Sequence, residues 1–353
     1  MPPNLTSRGT LSLKPDYPDT VRRYEAFWNG DLIDRPIVRI HGVKAPGIDI
    51  PHYPDDYYAR MHDEMDGLVR GLVGNARRHI YYGEAIPSAY LSFGCDEIAA
   101  FCGGRLLFTE GSRDTSWSEP FVDDWEDAFP IRLDEDNPLW LRMQAFMDAC
   151  AEAMEGAMVF SPVDTHSNMD LLLAMRGAER LCTDLLDRPE TVDEAMRQTM
   201  GVFGGIHERM FRRYGLPAAN GVTLQCDFSC MVGTDMFRRF ALPYLELEAE
   251  YFGGRTFYHW DGVEALRHTD DLIASKGLYA MAFVPGYGNG DHKDFLDLYR
   301  KIQDRGKAIS VWGSPDECKL MHGALRPEMT VYDTHVGTAA EAEALLDWFV
   351  RNT

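Results

Sequence analysis

Histidine and aspartate stand two residues apart at three strand-like ends, His259-Trp-Asp261, Asp164-Thr-His166 and Asp333-Thr-His335. Side chains two apart on an extended strand leave the same face, so each pair delivers an imidazole and a carboxylate to one point. One such pair is more often a strand-end histidine and an aspartate capping the next helix. Three at the strand ends of one chain point to a shared site. A divalent metal is one use of that chemistry: zinc accepts imidazole nitrogen and carboxylate oxygen and keeps an open position when catalytic. The other is metal-free acid/base work, with a histidine poised near neutral pH or an aspartate raised by burial. The metal is favoured because His259 and Asp261 supply two ligands from one strand; the third is expected from His335, Asp227 or Cys318, in that order.

For these pairs to meet, the strands that carry them must end side by side. Strand-like runs fall at 35–41, 86–93, 158–164, 221–227, 255–261, 278–284, 308–312 and 329–333. Helical patterns fall at 17–28 and 56–79, with 48–55 read as a loop. From about residue 137 they alternate with the strands, at 139–154, 169–214 (interrupted at Asp187-Arg188-Pro189), 235–252, 263–275, 292–305, 315–322 and 339–351. Alternation of this kind demands a parallel sheet with helices packed outside it. Eight strands close a (β/α)8 barrel. The expected fold is therefore α/β, a TIM barrel in a single domain over 1–353, with an N-terminal helical arm at 1–34 and a long inserted loop region at 105–136. An open doubly wound sheet is the alternative. It lacks a Gly-x-Gly-x-x-Gly after any strand, and Gly286-Tyr-Gly-Asn-Gly290 departs from that spacing.

In such a barrel the site lies at the C-terminal ends of the strands. There the chain presents His41; Ser92 and Cys95; Asp164 and His166; Gln225 and Asp227; His259 and Asp261; Pro285 and Tyr287; Trp312 and Ser314; Asp333 and His335. The expected catalytic residues are His259, Asp261, Asp227 and His166, and the expected metal ligands His259, Asp261 and His335. Gln225, His41, Arg39, Asp164, Trp117, Tyr287 and Trp312 are expected to contact substrate, with the aromatic stretch around Trp117 covering the pocket. Structural roles compete: His166 as a cap of the helix that begins near Asn168, Asp227 as a brace for the 228–233 loop, and Trp260 as core on the face opposite His259.

Composition narrows the partners. With 56 Asp and Glu against 35 Lys and Arg the formal charge is −21, a surface that repels phosphate backbones and anionic membranes. Seven cysteines, an odd number without a Cys-x-x-Cys pair, fit a reducing cytoplasm better than a disulfide framework. The N-terminus lacks an apolar signal core, and no run of about 18 apolar residues marks a membrane span. A cytoplasmic protein acting on a small molecule is expected, with no nucleic-acid or membrane partner.

Several stretches resemble the uroporphyrinogen decarboxylase superfamily, which includes corrinoid and coenzyme M methyltransferases. They are Asp34-Arg35-Pro36 at the first strand, the run Leu173 to Glu190, Asp227-Phe-Ser-Cys-Met with Met236-Phe237 and Pro243-Tyr244, and Tyr258-His-Trp-Asp-Gly262. The resemblance implies a (β/α)8 barrel, in agreement with the strand count. Uroporphyrinogen decarboxylase binds substrate carboxylates through Arg-Gln-Ala-Gly-Arg; here the place reads Arg35-Pro-Ile-Val-Arg-Ile-His-Gly42, which argues against that substrate. The methyltransferases use His-x-Cys and a later Cys as zinc ligands. Here Asp261 replaces the first Cys, which leaves an oxygen and nitrogen site open. The resemblance implies transfer of a methyl group from a small O- or N-methylated compound to a separate corrinoid protein, with zinc or His/Asp assistance. A carboxy-lyase using Arg39 and His41 for a small acid, and a non-catalytic barrel that binds a corrinoid or metabolite, are the alternatives.

Overall fold

The run 256–261 is rich in β-branched and aromatic residues, and the backbone there is extended. In the computed structural model, which describes residues 9–48, 53, 56–108, 111, 113–154, 156–161, 163–164, 166–215 and 219–353, this run is one of eleven strands. They are β1 (Ile37–His41), β2 (Tyr82–Gly83), β3 (Ser88–Tyr90), β4 (Arg105–Leu107), β5 (Trp117–Glu119), β6 (Val159–Ser161), β7 (Val222–Gln225), β8 (Thr256–Asp261), β9 (Ala280–Val284), β10 (Ala308–Trp312) and β11 (Thr330–His335). Seven form one sheet in the order β2-β1-β11-β10-β9-β8-β7. All its ladders are parallel except the β1–β2 pairing. The strands β3 and β6 pair in parallel with each other, and β4 with β5 as an antiparallel hairpin.

The helices before the middle of the chain are α1 (Tyr17–Trp28), α2 (Tyr57–His62), α3 (Met65–Arg77), α4 (Glu97–Phe101), α5 (Trp125–Ala128) and α6 (Pro138–Ala153). Those that follow are α7 (Asn168–Arg176), α8 (Ala178–Asp187), α9 (Pro189–Tyr214), α10 (Thr234–Met236), α11 (Leu242–Tyr251), α12 (Thr269–Ala274), α13 (Leu296–Gln303), α14 (Pro315–His322) and α15 (Ala339–Asn352). The result is a mixed α/β fold around a mostly parallel sheet. No helix of the described residues is long and apolar enough to cross a membrane.

The departures from the expected elements have local causes. The helix expected at 56–79 breaks at Asp63, where Arg142 takes the carbonyls of Arg60 and Asp63. The stretch 169–214 breaks a second time at Gly177, whose φ of 84° favours glycine. There Phe121 and Val122 both donate their N–H groups to Met175. The helix expected at 235–252 contains a π turn over Phe237–Ala241, next to Pro243, which has no N–H to continue an α ladder. The strands β3 and β6 are shorter than expected, and proline stands at 87 and 162, unable to donate to a ladder. The region 105–136 is less a loop than a hairpin followed by α5. The loop read at 48–55 lies mostly outside the described residues.

Side chains from both parallel sheets face one cavity of about 330 Å³. It is lined by Arg39 of β1, Tyr90 of β3, Ser161 of β6, Gln225 of β7, Phe257 of β8, Ala282 of β9 and Ser310 of β10. Two side-chain hydrogen bonds span the gap between β6 and β7, Gln225 to Asp164 and Asn168 Nδ2 to the Gln225 carbonyl at 3.1 Å.

Candidate functional site

The segment after β6 carries Asp164, His166 and Asp170; the loop after β3 brings Cys95 and Asp96 against it. Gly94 makes that approach feasible. Its φ is 124°, and a Cβ there would lie 1.7 Å from the Ser116 hydroxyl, which donates to the Phe93 carbonyl at 2.9 Å. The β4–β5 hairpin thus locks onto the loop that holds Cys95. It also donates the Ser118 N–H to Asp96 at 2.8 Å.

His166 sits in a ring of carboxylates. Its Nδ1 is 3.8 Å from Asp96, and its Nε2 is 3.9 Å from Asp164 and 3.7 Å from Asp227. Burial opposes a charge on this imidazole, but Asp96, Asp170, Asp164 and Asp227 outweigh it and hold its pKa at about 10. Asp227 is pushed up to about 7, first by burial and then by Asp170, with His166 acting the other way. Its Oδ1 is buried without a hydrogen-bond partner, 4.0 Å from His259 Nε2. Burial lowers the pKa of His259, so this second imidazole is biased towards its neutral form. Asp170 is buried and accepts the N–H groups of Asp227 at 2.9 Å and Phe228 at 2.8 Å.

Ligand atoms of Cys95, Asp164 and His166 all lie within 4.8 Å of one another, and among the described residues this is the one such group of three. Its donor set fits a metal: thiolate, carboxylate and imidazole suit zinc, and three protein ligands leave a position open. Without a cation the thiol is pushed up to about 12 by burial and by Asp164, Asp96 and Asp227. The orphaned Asp227 oxygen beside the group is a further acceptor for a cation or a proton.

The expected residues divide accordingly. Asp164, His166, Asp227 and His259 come together; Asp261 follows His259 on the same face, with Trp260 fully buried on the other. Gln225, Arg39 and Asp164 line the common cavity. Among the described residues the group close enough to hold a metal is Cys95, Asp164 and His166, and the expected set His259, Asp261 and His335 forms no such group. His335 is exposed and packs on His41, ring centroids 5.4 Å apart, while His41 lies 3.5 Å from Asp333. The Cys318 thiol is buried towards the carbonyls of Gly313 and Asp333. Trp117 faces outward from its hairpin, since the buried residue of β5 is Ser118. Tyr287 is fully exposed on a glycine loop, and Trp312 packs against His292 at 3.8 Å.

The cap position of α7 is Ser167 rather than His166, and Asp227 Oδ1 has no hydrogen-bond partner. Cys95, Asp96 and Asp170 stand at the site although spacing alone assigned them no role. The one available sequence signal is Cys95 at a strand end. No family model and no curated protein matches the chain.

Proposed function

We propose that the eight parallel strands close into one (β/α)8 barrel and that the chain is a metal-assisted methyltransferase. Its substrate would be a small O- or N-methylated compound, and its acceptor a corrinoid carried by a separate protein. The single observation behind the metal is the convergence of Cys95, Asp164 and His166 within 4.8 Å. Support for the closed barrel is the cavity to which seven strands from both parallel sheets contribute.

Bound at this group, zinc would supply a Lewis acid for the heteroatom that leaves when its methyl group is taken. The chain's own residues do the rest. Asp227, with a pKa of about 7, holds a proton near neutral pH and stands beside the group to hand it to the leaving oxygen or nitrogen. His259, biased neutral and 4.0 Å from Asp227, orients that carboxyl and takes part in its proton exchange. Asp164 holds Gln225 on the cavity side, which places an amide against the substrate.

The charge of the cavity supports a neutral or cationic donor. Its single lining cation, Arg39, is paired with Asp333. The second reading, a carboxy-lyase for a small acid, is favoured by one feature: Arg39 Nε is buried without a hydrogen-bond partner and could receive a carboxylate.

The test is metal content of tag-free protein, wild type against Cys95→Ser and His166→Ala, followed by methyl transfer to a cobalt(I) corrinoid from methoxy and methylamine donors. Stoichiometric zinc lost in both variants, with methyl transfer in the wild type, is the expected result. Carbon dioxide release from small acids without a corrinoid would replace it with the lyase. Absence of zinc in all three preparations, even after reconstitution, would sink the metal.

A further inference from the structure

We infer that Glu248, on α11, is a positioning residue that fixes the ligand-bearing segment 163–170 through Ser167 and Asn168. The inference rests on the reading of Cys95, Asp164 and His166 as a metal site, and none of the chemistry above uses Glu248.

Asn168 is the only non-glycine among the described residues with a positive φ, 47°, and it is fully buried. Asparagine tolerates this region better than most side chains, yet such a conformation persists only where its surroundings over-determine it. Here they do. Asn168 Nδ2 donates to Glu248 Oε2 at 3.2 Å and to the Gln225 carbonyl at 3.1 Å, and its Oδ1 accepts the Met169 N–H at 2.6 Å. The Ser167 hydroxyl donates to Glu248 Oε1 at 2.6 Å. Glu248 is fully buried and has no ion pair with a cation among the described residues, so these two donors are the partners that justify its place in the core.

The turn has two outputs. On one side it projects His166 into the ring of Asp96, Asp164 and Asp227. On the other, Asp170 grips the N–H groups of Asp227 and Phe228, so the same turn also sets the acid on β7's loop. Second partners of this kind orient metal ligands, and their loss weakens metal binding about 10–100-fold. Removal of the carboxyl breaks the bonds from the Ser167 hydroxyl and the Asn168 amide to α11 and leaves the amide only its bond to the Gln225 carbonyl, so the left-handed turn loses its tie to that helix.

The experiment compares wild type, Glu248→Ala, Glu248→Gln and Asn168→Gly by zinc affinity in chelator competition. It adds the thiolate-to-cobalt(II) absorption band and hydrogen exchange over 163–171 in metal-free protein. Glu248→Ala is expected to lose about 10–100-fold in zinc affinity, weaken the cobalt band and speed exchange in this segment but not in α15. Glu248→Gln, which can accept from Asn168 and donate to Ser167, is expected to restore all three. If Glu248→Ala does not fold, Asn168→Gly carries the test, since it keeps the positive φ and removes the amide. Unchanged exchange over 163–171 in these variants overturns the inference. A wild type that binds no zinc overturns the metal reading, while the exchange data still judge the clamp.

Discussion

At His166 an imidazole meets three carboxylates within 3.9 Å, with Asp170 behind them. Two titrations in this ring shift in the same sense. The folded pKa of His166, about 10, exceeds that of a free imidazole, so the stability it contributes is complete below about pH 6.5 and is lost as pH rises towards 10. Asp227, raised to about 7, binds its proton more tightly folded than unfolded, so stability also falls as pH rises from about 4 to 7. Metal-free protein should therefore show a falling Tm from acid to alkaline pH, and His166→Gln should remove the part above neutrality. A scanning-calorimetry series in chelator checks this; an alkaline limb identical in wild type and variant would contradict the assignment. Zinc changes the balance, because its ligands must shed their protons. Its uptake near neutrality should release protons from Cys95 and His166, read as a dependence of binding heat on the buffer.

At the scale of elements, the β4–β5 hairpin tests how the site is assembled. Gly94→Ala places a Cβ 1.7 Å from the Ser116 hydroxyl at a φ of 124°. It should cost about 1–3 kcal/mol in urea unfolding and weaken zinc binding, because Cys95 follows directly. Unchanged zinc affinity in the destabilised variant would mean that the hairpin does not position Cys95. How much of this could be read from the chain follows the range of each signal. Periodicity is local, and α1, β10 and α14 appear with the bounds it predicts. The π turn before Pro243 and the hairpin within 105–136 left no comparable pattern. The same holds for the site: Asp164 and His166 announced themselves by spacing, as did Asp227 beside Gln225. Cys95 joins the candidate group only because the loop after β3 packs on the segment after β6. Glu248 gave no sign at all, since a carboxylate on a helix reads as a solvated face until burial is known.

Over the whole molecule, the chain separates its chemistry from its closure. The aromatic face of α1 buries Tyr24 and Phe27 against Ile37, Phe257, Ala280, Ala308 and Val331. Each of these strand residues stands first or second in its strand, whereas His259 and Asp261 occupy the later positions of β8. The arm thus covers the N-terminal ends of the sheet, and the acid-rich site lies at the C-terminal ends. Polar ties hold the arm in place: Arg255 pairs with Glu25, the Tyr279 hydroxyl donates to the Phe27 carbonyl at 2.7 Å, and Trp28 Nε1 donates to Ala219 at 2.9 Å. The Phe27 ring stacks on Phe257 with centroids 5.9 Å apart and meets Tyr279 edge-on. Its removal opens a cavity in a packed aromatic cluster, so Phe27→Ala should cost about 3–5 kcal/mol. Parallel ladders lie between the two ends, so zinc affinity and the exchange of 163–171 should stay at wild-type values below the unfolding transition. Denaturant unfolding with parallel zinc titration decides it: a large loss of stability with intact metal binding supports two separable ends. A loss of zinc affinity in the folded variant would show that the arm and the site are energetically one unit.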